Sequence, residues 1–493
     1  MSSSSHVDNV VVNVEHATFH YFESTNGIED ISLQAHHGDR ILLLGSNGCG
    51  KSTLLSLLGG KRKVSSGTIT VLGADAFEDT RLNHKISLIG PPWPVEAFFA
   101  NTVDSVASPS PDIARKHETA TRLHLRLSSL VDKMSSGEKR RVQILHGMLH
   151  PVDVYLLDEC STDIDVAERM TVLSIVEKEC LGRGACCFYA THILDGVHGW
   201  ATHVALMHEK RVVSFCPVSD LNVSLEEYAH QFIAKKSTVA RFTIDNINNN
   251  HELCNPVRSP IISCTDLNLG AVFNNLSFVV FQSSRTLLLG CNGSGKSTIL
   301  NILGGKQFIP NRNKEVMVCG KPCYVDMLHH HTNVAYGGDW WAQNPRGEVY
   351  VREMIPSSPL STRAARIAQL LRVDMAWDVR RLSSGEQKRV QLLLVLQEMK
   401  PLIILDEATA DLDVDQRHEL LQFLFEESSL RGVTILYSTH IFEGLEGWAS
   451  DVIVLDRSVC GLHKAFAAPK LPNFTEVTDL LVELKSREPY SLL

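Results

Sequence analysis

Two glycine-rich octapeptides in the chain could hold phosphate groups. The first, from Gly45 to Ser52, reads Gly-Ser-Asn-Gly-Cys-Gly-Lys-Ser, and the second, from Gly290 to Ser297, reads Gly-Cys-Asn-Gly-Ser-Gly-Lys-Ser. Both fit the pattern G-x-x-x-x-G-K-[ST], in which backbone N–H groups surround phosphate oxygens at the start of a helix. An apolar segment precedes each loop and a helical pattern follows it, which argues against a plain glycine-rich turn. The pattern predicts two nucleotide-binding sites.

Within each loop the lysine supplies positive charge to the phosphates, and the serine hydroxyl is a ligand for Mg²⁺. The predicted nucleotide-binding residues, including the threonine after each loop, are Gly45, Ser46, Asn47, Gly48, Cys49, Gly50, Lys51, Ser52 and Thr53 in the first half and Gly290, Cys291, Asn292, Gly293, Ser294, Gly295, Lys296, Ser297 and Thr298 in the second.

Acidic pairs end two apolar segments that are typical of buried strands. Asp158 and Glu159 end the first, and Asp406 and Glu407 end the second. Open α/β sheets bind ligands at the carboxyl ends of their strands, where an aspartate can hold hydrated Mg²⁺ and a glutamate can polarise an attacking water. The predicted metal ligands are therefore Ser52, Asp158, Ser297 and Asp406.

A Ser-Ser-Gly-Glu segment opens a predicted helix about twenty residues before each acidic pair. Its serine hydroxyl and free N–H groups could bind an anion, although the same residues could form a simple capping box. The candidate residues are Ser135, Gly137 and Glu138 in the first half and Ser383, Gly385 and Glu386 in the second. Downstream, His192 and His440 follow strand ends, where each could reach a terminal phosphate.

The order and spacing of these motifs resemble those of the ATP-binding-cassette (ABC) ATPases over both halves of the chain. The resemblance implies that Asp158 and Asp406 are Walker B aspartates and that Glu159 and Glu407 are catalytic bases. It implies switch roles for His192 and His440. The Ser-Ser-Gly-Glu segments would be signature motifs, so that each phosphate loop would share its ATP with the signature of the other half in an intramolecular cassette dimer.

The two halves repeat at a fixed interval. Gly137 and Gly385 are 248 positions apart, as are Asp158 and Asp406, which indicates tandem duplication. Alternating strand and helix patterns predict an α/β fold. We expect two tandem P-loop ABC nucleotide-binding domains, each with a mostly parallel sheet, an antiparallel β part and a small helical subdomain. The predicted divisions are a disordered N-terminus (1–9), domain 1 (10–220), a linker (221–259), domain 2 (260–470) and a C-terminal tail (471–493).

The sequence departs from the usual cassette pattern in three places. Each signature has serine, at Ser136 and Ser384, where the family usually has its second glycine. Adenine normally stacks on an aromatic residue before the phosphate loop. Tyr21, or alternatively Phe19, fits that role in the first half, whereas the second half has no aromatic residue in 266–272. We therefore expect weaker ATP binding in the second half.

The third departure is the loop that usually carries a glutamine. It reads Gly-Pro-Pro-Trp at 90–93 and Gly-Gly-Asp-Trp at 337–340, so that Asp339 or Gln343 would have to replace the glutamine in the second half. The second of these loops and the Thr-His segments that end in Trp200 and Trp448 resemble the soluble ABC ATPases associated with the CCR4-NOT complex and their plant subfamily I relatives. We expect both tryptophans to be packing residues. The run 329–331, three histidines, could chelate a metal, but a solvated loop is favoured.

Composition limits the remaining choices. The formal net charge is −9, so the chain has no overall positive charge with which to bind nucleic acid, and we do not expect a nucleic-acid partner. Twelve scattered cysteines indicate reduced thiols. No apolar run approaches the roughly 18 residues of a membrane helix, and the first residues lack a signal peptide. We expect a cytoplasmic protein, with the nucleus as a second location.

Three functions are consistent with these patterns. The first is ATP hydrolysis, with ATP and Mg²⁺ as cofactors, that remodels a soluble protein complex in gene expression, such as one resembling CCR4-NOT. The second is the ATPase subunit of a transporter whose permease is a separate chain, although the usual permease-contacting glutamine is missing. The third is a ribosome-associated translation factor, which typically has a longer and more basic linker than 221–259.

Overall fold

The computed structural model describes residues 10–22, 26–93, 101–108, 112–161, 164–225, 227–229, 259–309, 316–338, 347–355, 360–467 and 470–487. The chain divides into two compact units, the first running to Val239 and the second from Ala240 to Pro489. The predicted linker spans this division and, like the predicted disordered N-terminus, falls largely outside the described residues.

The first unit contains an antiparallel sheet of four strands and a second sheet of six. The antiparallel sheet has the order β2-β1-β4-β5, and the larger sheet has the order β10-β9-β3-β8-β7-β6. The strands are β1 (Val10–His20), β2 (Gly27–His36), β3 (Arg40–Leu44), β4 (Ser66–Val71), β5 (Ala74–Asp75), β6 (Ile86–Ile89), β7 (Val154–Asp158), β8 (Cys186–Ala190), β9 (His203–His208) and β10 (Arg211–Pro217). All neighbours in the larger sheet are parallel except the pair of β9 and β10.

Helices cover the larger sheet and connect its strands. In the first unit they are α1 (Lys51–Leu58), α2 (Val103–Val106), α3 (Ile113–Arg122), α4 (Ser136–Gly147) and α5 (Val166–Arg183). The longest of these, α5, begins where the Asp165 side chain accepts a hydrogen bond from the Glu168 N–H and ends at Gly184 in the left-handed conformation. These are ordinary start and stop signals of a helix.

The second unit repeats this architecture with the strand orders β12-β11-β14-β15 and β16-β17-β18-β13-β19-β20. Its strands are β11 (Pro260–Leu269), β12 (Phe273–Phe281), β13 (Arg285–Gly290), β14 (Val316–Val318), β15 (Lys321–Pro322), β16 (Val334–Gly337), β17 (Leu402–Asp406), β18 (Thr434–Ser438), β19 (Asp451–Asp456) and β20 (Gly461–Ala467). Its helices are α6 (Lys296–Leu303), α7 (Met327–Asn333), α8 (Thr362–Leu370), α9 (Ser384–Leu396), α10 (Val414–Arg431) and α11 (Phe474–Ser486). The predicted fold class is confirmed in both units.

The central strands lie in the middle of each unit because both of their faces are covered. Every residue of β3, β7, β8 and β17 is buried. Parallel strands covered on both faces are typically continuous apolar runs, and these four strands fit that description. The chemically active residues follow directly from the carboxyl ends of these strands, so the rigid core fixes their positions.

The two tryptophans pack inside their units, as predicted. Trp200 is 5% exposed and Trp448 is fully buried. The Nε1 atom of each donates a hydrogen bond of 2.9 Å, Trp200 to the Leu173 carbonyl and Trp448 to the Leu421 carbonyl. Each indole thereby connects the segment after the predicted switch histidine to the long helix of its unit, α5 or α10.

The prediction of a solvated loop for the histidine run is wrong. Residues 329–331 lie in the short helix α7, whose first turn is capped by Asp326, and His330 is buried. The run differs from a polar loop because an Asp cap precedes it and its helical spacing turns one ring inward. No group of three or more potential metal-ligating side chains occurs among the described residues.

Residues of the predicted linker and of the predicted tail pack onto the two units. Leu225, Tyr228 and Ala229 belong to the hydrophobic core of the first unit. In the second unit, α11 buries Val477, Leu481 and Leu484. None of the helices in the described part of the chain has the length and apolar character that crossing a bilayer requires.

Candidate active sites

The first phosphate loop connects β3 to α1. Lys51 is the first residue of α1 and is 5% exposed. Its Nζ atom donates to the carbonyl oxygens of Gly45 at 2.7 Å and Ser46 at 3.1 Å. The ammonium group is therefore enclosed by the loop that should surround the phosphates, and its charge faces that space.

Gly50 shows why the loop requires glycine. It has φ of +104°, and a Cβ atom there would lie 2.8 Å from the Gly27 carbonyl oxygen and 2.9 Å from the Ile28 side chain. A side chain would therefore meet both backbone strain and a steric clash. The close approach of loop and strand keeps the N–H groups at the start of α1 in place.

The second phosphate loop has the same construction between β13 and α6. Lys296, also 5% exposed, donates to the carbonyl oxygens of Gly290 at 2.8 Å and Cys291 at 3.1 Å. This loop has an additional brace, because the Cys291 thiol donates to the Leu481 carbonyl of α11 at 3.4 Å. Hence the C-terminal helix supports the second loop directly.

The carboxyl ends of β7 and β17 bring the acidic residues to the loops. The Ser52 hydroxyl donates to Asp158 Oδ1 at 3.0 Å, and Ser297 makes the corresponding hydrogen bond to Asp406. Burial raises the pKa of both aspartates, while the serine hydrogen bonds act in the opposite direction. Paired hydroxyl and carboxylate oxygens at this position fit Mg²⁺, which prefers oxygen ligands.

Each catalytic candidate follows its aspartate in a left-handed backbone conformation. Glu159 has φ of +46° and Glu407 has φ of +50°. The Glu159 N–H donates to the Ala190 carbonyl of β8, and the Glu407 N–H donates to the Ser438 carbonyl of β18, each at 2.9 Å. These hydrogen bonds hold the unusual conformation in place. Such a conformation costs about 1 to 2 kcal/mol for a residue with a side chain.

The predicted switch histidines contact these glutamates. His192 Nδ1 lies 3.6 Å from Glu159 Oε1, and His440 Nε2 lies 3.0 Å from Glu407 Oε1. Burial alone would raise the pKa of both glutamates. The hydrogen bond and charge of the neighbouring histidine, with the nearby lysine, instead lower the pKa of Glu159 and bring that of Glu407 to about 2. Both side chains are consequently carboxylates at neutral pH, as a base requires.

The signature segments form complete capping boxes in both units. The Ser135 side chain accepts from the Glu138 N–H, and the Glu138 carboxylate accepts from the Ser135 N–H at 2.9 Å. Ser383 and Glu386 make the same pair of hydrogen bonds. The capping interpretation is thus correct for the local structure, and it leaves both serines exposed at helix N-termini. The additional side chain of Ser136 is also exposed, so it requires no rearrangement of the core.

Arg140 is a site residue that the sequence analysis missed. It is 2% exposed, and its guanidinium donates to the carbonyl oxygens of Gly90 at 2.7 Å, Cys160 at 3.0 Å and Glu159 at 3.1 Å. It therefore joins the loop that lacks the usual glutamine to the catalytic segment. The matching position 248 residues later holds Lys388, which instead contacts Asp411 at 3.1 Å. The sequence does not signal this role, because Arg140 stands in a polar stretch of its helix directly beside a second arginine, Arg141.

The predicted adenine-stacking residue directly follows the end of β1. Tyr21 is half-buried, and the Arg62 guanidinium lies 4.6 Å from its ring centre. The corresponding turn between β11 and β12 has only three residues, 270–272, and Phe273 beyond it is buried against Gly295. The described residues of this shorter turn provide no aromatic ring. Asp339 and Gln343, the suggested glutamine replacements, lie outside the described residues.

Comparison with known proteins agrees with this geometry. The family model described as ABC transporter matches residues 28–162 and 273–410, together more than half of the chain. ABC transporter I family member 20 of Arabidopsis thaliana is 41% identical over 36% of this chain and 58% of its own length. CCR4-associated factor 16 of Saccharomyces cerevisiae is 31% identical over 38% of this chain and 68% of its own length.

Some similar proteins cover nearly the whole chain. Arabinose import ATP-binding protein AraG of Pectobacterium atrosepticum is 22% identical over 88% of this chain and 90% of its own length. Among solved structures, RNase-L Inhibitor superposes with a TM-score of 0.72 at 17% identity, covering 95% of this chain and 93% of its own. A structure of an archaeal ribosome recycling factor in complex with ribosomal stalk protein aP1 gives the same TM-score at 17% identity, covering 97% and 93%.

These structural likenesses concern the fold alone, whereas the family match includes both phosphate loops and both acidic pairs. The chain belongs to the ABC transporter family of ATPases, and it carries two of the family's nucleotide-binding domains in tandem.

Proposed function

We propose that the chain hydrolyses ATP at two sites and uses the resulting conformational cycle to remodel a protein complex. The observation that carries this proposal is the completeness of both sites. Each unit has an enclosed lysine, a serine beside a buried aspartate, and a glutamate kept ionised beside a histidine. A degenerate site would be expected to lack at least one of these groups.

The residues divide the work according to their chemistry. Lys51 and Lys296 would hold the β- and γ-phosphates, and Ser52 with Asp158, or Ser297 with Asp406, would hold Mg²⁺. When bound, Mg²⁺ would offset charge on the phosphate oxygens. Glu159 and Glu407 would orient the attacking water and accept its proton, because their carboxylates are ionised at neutral pH.

Each histidine would hold its glutamate and the terminal phosphate in register. His440 contacts Glu407 at 3.0 Å, while His192 lies 3.6 Å from Glu159. The shorter contact supports a better ordered base in the second unit. The aromatic ring of Tyr21 supports tighter nucleotide binding in the first unit. We therefore propose that the two sites differ, with the first favoured for binding and the second for turnover.

The test is steady-state ATP hydrolysis by the purified chain, its Glu159→Gln and Glu407→Gln variants, and the double variant. We expect partial activity in each single variant and at least a hundredfold loss in the double variant, because the carboxamide cannot accept a proton. Full activity of the double variant would refute the assignment of these glutamates. If one single variant lacks activity altogether, hydrolysis at the two sites is not independent.

The family resemblance implies that each phosphate loop works with the signature of the other unit, and we propose that pairing here. In the Glu407→Gln background, only the first site keeps its catalytic glutamate. Ser383→Arg is then expected to abolish the remaining turnover, whereas the matched variant Ser135→Arg should leave it largely intact. The opposite pattern would show that each loop works with its own signature.

The remodelling role finds its support in the similarity to CCR4-associated factor 16. Affinity purification of the double glutamine variant with ATP should trap the client complex, and a lysine-to-alanine variant of both loops is the control without bound nucleotide. Recovery of a permease as the specific partner would replace the proposal with a transporter role, for which the likeness to the arabinose import protein is the support.

A ribosome-associated role is the third candidate. Its support is the structure described as an archaeal ribosome recycling factor, which superposes on nearly the whole chain. Sedimentation of the ATP-trapped variant through a sucrose gradient tests it directly. Co-migration with ribosomes that depends on bound ATP would support this role over the remodelling of another complex.

A further inference from the structure

The second unit contains a polar cavity at the end of its large sheet opposite to the nucleotide site. The cavity has a volume of about 180 Å³. Its walls include Val334, the first residue of β16, and Lys400, which lies two residues before β17. Asp406 and Glu407 are at the other end of β17, so this cavity is separate from the site that holds the catalytic glutamate.

Basic groups dominate the charged lining of the cavity. Lys306, Lys400, His330 and His331 line it, together with one carboxylate, Glu398. The Lys400 ammonium is fixed by hydrogen bonds to the carbonyl oxygens of His331 at 2.7 Å and Val334 at 3.3 Å. The Glu398 side chain is 67% exposed and its carboxylate lies 3.6 Å from Lys400, so it is a weak partner of that ammonium group.

His330 gives the cavity a buried polar group. The residue is 6% exposed, and its ring lies against the backbone of Leu303 and Gly304, where its Nε2 atom makes no well-aligned hydrogen bond within the described ranges. Burial lowers the pKa of this ring, although hydrogen bonding to the backbone of Gly304 and Leu303 acts in the opposite direction. Buried polar atoms are nearly always paired with protein, water or a ligand. A ring nitrogen that lines a basic cavity is thus placed to bind a group that accepts hydrogen bonds.

The first unit provides an internal comparison. Strand β6 and strand β16 correspond at an interval of 248, so the position that matches His330 holds Leu82, which is 5% exposed in the hydrophobic core. The positions that match His331 and Lys400 hold Asn83 and Val152. The first unit keeps a lysine, Lys61, at the position that matches Lys306, but it has apolar or neutral residues at the other three positions, so the fold does not need His330, His331 or Lys400.

We propose that this cavity in the second unit is a binding site for a small oxyanion, either inorganic phosphate or the phosphate group of an organic monoester. Ammonium groups are usual partners of such a group, and the buried imidazole adds a polar ring nitrogen to the wall. The volume of about 180 Å³ admits a phosphate with part of an attached organic group. A metal ion is a poor fit, because no cluster of three metal-ligating side chains exists in the described part of the chain.

The experiment measures thermal unfolding of the full chain at constant ionic strength, with chloride replaced by inorganic phosphate. Both nucleotide loops are first saturated with a non-hydrolysable ATP analogue and Mg²⁺, so that added phosphate does not act there. At a phosphate concentration ten times the dissociation constant, the midpoint of the second unit's transition should rise by about 2 to 4 °C. Glycerol phosphate serves as the monoester in a parallel series.

The variants are His330→Leu, which installs the residue found at the matching position of the first unit, and Lys306→Met. Both should lose the rise in the midpoint. Lys61→Met alters the residue that matches Lys306 in the first unit, and it should keep the full rise. A rise with glycerol phosphate alone would identify a monoester as the ligand, and a rise with both compounds would show that phosphate suffices. The proposal is overturned by the absence of a rise in the native chain, or by an equal rise in both cavity variants.

Discussion

Replacement of Arg140 by methionine tests how the catalytic segment of the first unit is held. The arginine side chain is almost fully buried and donates to four backbone carbonyl groups, those of Gly90, Cys160, Glu159 and Asp158, at 2.7 to 3.3 Å, and also to the Gln143 side chain. Methionine has a similar length and no donor. The substitution therefore removes the hydrogen bonds while filling most of the same volume.

The expected loss follows from these contacts. Each hydrogen bond from a charged donor contributes roughly 1.5 to 3 kcal/mol, but part of that is recovered because a buried guanidinium no longer has to be desolvated. Together these bonds give a net loss of about 3 kcal/mol in the local stability of the segment. The matched variant is Lys388→Met in the second unit. Its ammonium donates at 3.1 Å to a partly exposed Asp411, and about 1 kcal/mol is expected from that contact.

Hydrogen exchange followed by mass spectrometry measures this locally, which is necessary because a chain of two units need not unfold in one step. Backbone amides in residues 154–161 should exchange about 100-fold faster in Arg140→Met, and those in 402–409 should be unchanged. In the Glu407→Gln background, the same substitution should lower the remaining turnover at least tenfold, since a small displacement of a base has a large effect on rate.

Two results would refute this reasoning. Native exchange rates in 154–161 of Arg140→Met would show that the carbonyl contacts contribute nothing to the order of the segment. An equally large effect of Lys388→Met in 402–409 would show that the loss reflects any buried charge rather than this set of contacts.

Three further outcomes are expected. Tyr21→Ala should weaken ATP binding at the first loop about 5- to 150-fold by calorimetry, because a base–aromatic stack contributes roughly 1 to 3 kcal/mol, whereas the exposed neighbour Phe22→Ala should not. His440→Ala should raise the pKa of Glu407 from about 2, because it removes the charge that opposes burial, so the acid limb of the residual pH–rate profile should move to higher pH. Trp448→Phe should lower the free energy of unfolding of the second unit by about 2 to 3 kcal/mol in urea, since it removes the indole hydrogen bond and leaves a small cavity.

A specific result would refute each of these three predictions. Equal affinities of Tyr21→Ala and Phe22→Ala would exclude adenine stacking on the tyrosine. The pH profile is measured in the Glu159→Gln background, and an unshifted acid limb there would mean that His440 does not set the ionisation of Glu407. A loss below 1 kcal/mol in Trp448→Phe would mean that the indole hydrogen bond is replaced by water.

The sequence predicts most of the sites because their chemistry is local. A phosphate loop needs glycines, lysine and serine within eight residues, and an acidic pair needs only the apolar strand before it. Helix starts are equally local, as Ser135 and Glu138 show by forming the capping box that their spacing allows. The alternating strands and helices likewise lead to the α/β fold.

Contacts between distant segments escape this kind of reasoning. Arg140 connects its helix to Gly90, fifty residues earlier, and no local pattern specifies that partner. His330 is buried because of how a short helix packs against a strand, while a run of three histidines has no periodicity that singles out the middle ring. The brace from Cys291 to α11 joins residues 190 positions apart.

The left-handed backbone at Glu159 and Glu407 has a consequence for how this duplicated chain can change over time. Glycine would relieve the conformational cost at either position, so loss of the carboxylate proposed as the base would make the fold more stable by about 1 kcal/mol. If one unit no longer needed to hydrolyse ATP, substitution of its glutamate by glycine would therefore be favoured by the gain in stability. Both copies have glutamate in the costly conformation, which is the expected state of a chain whose two units each still do chemical work.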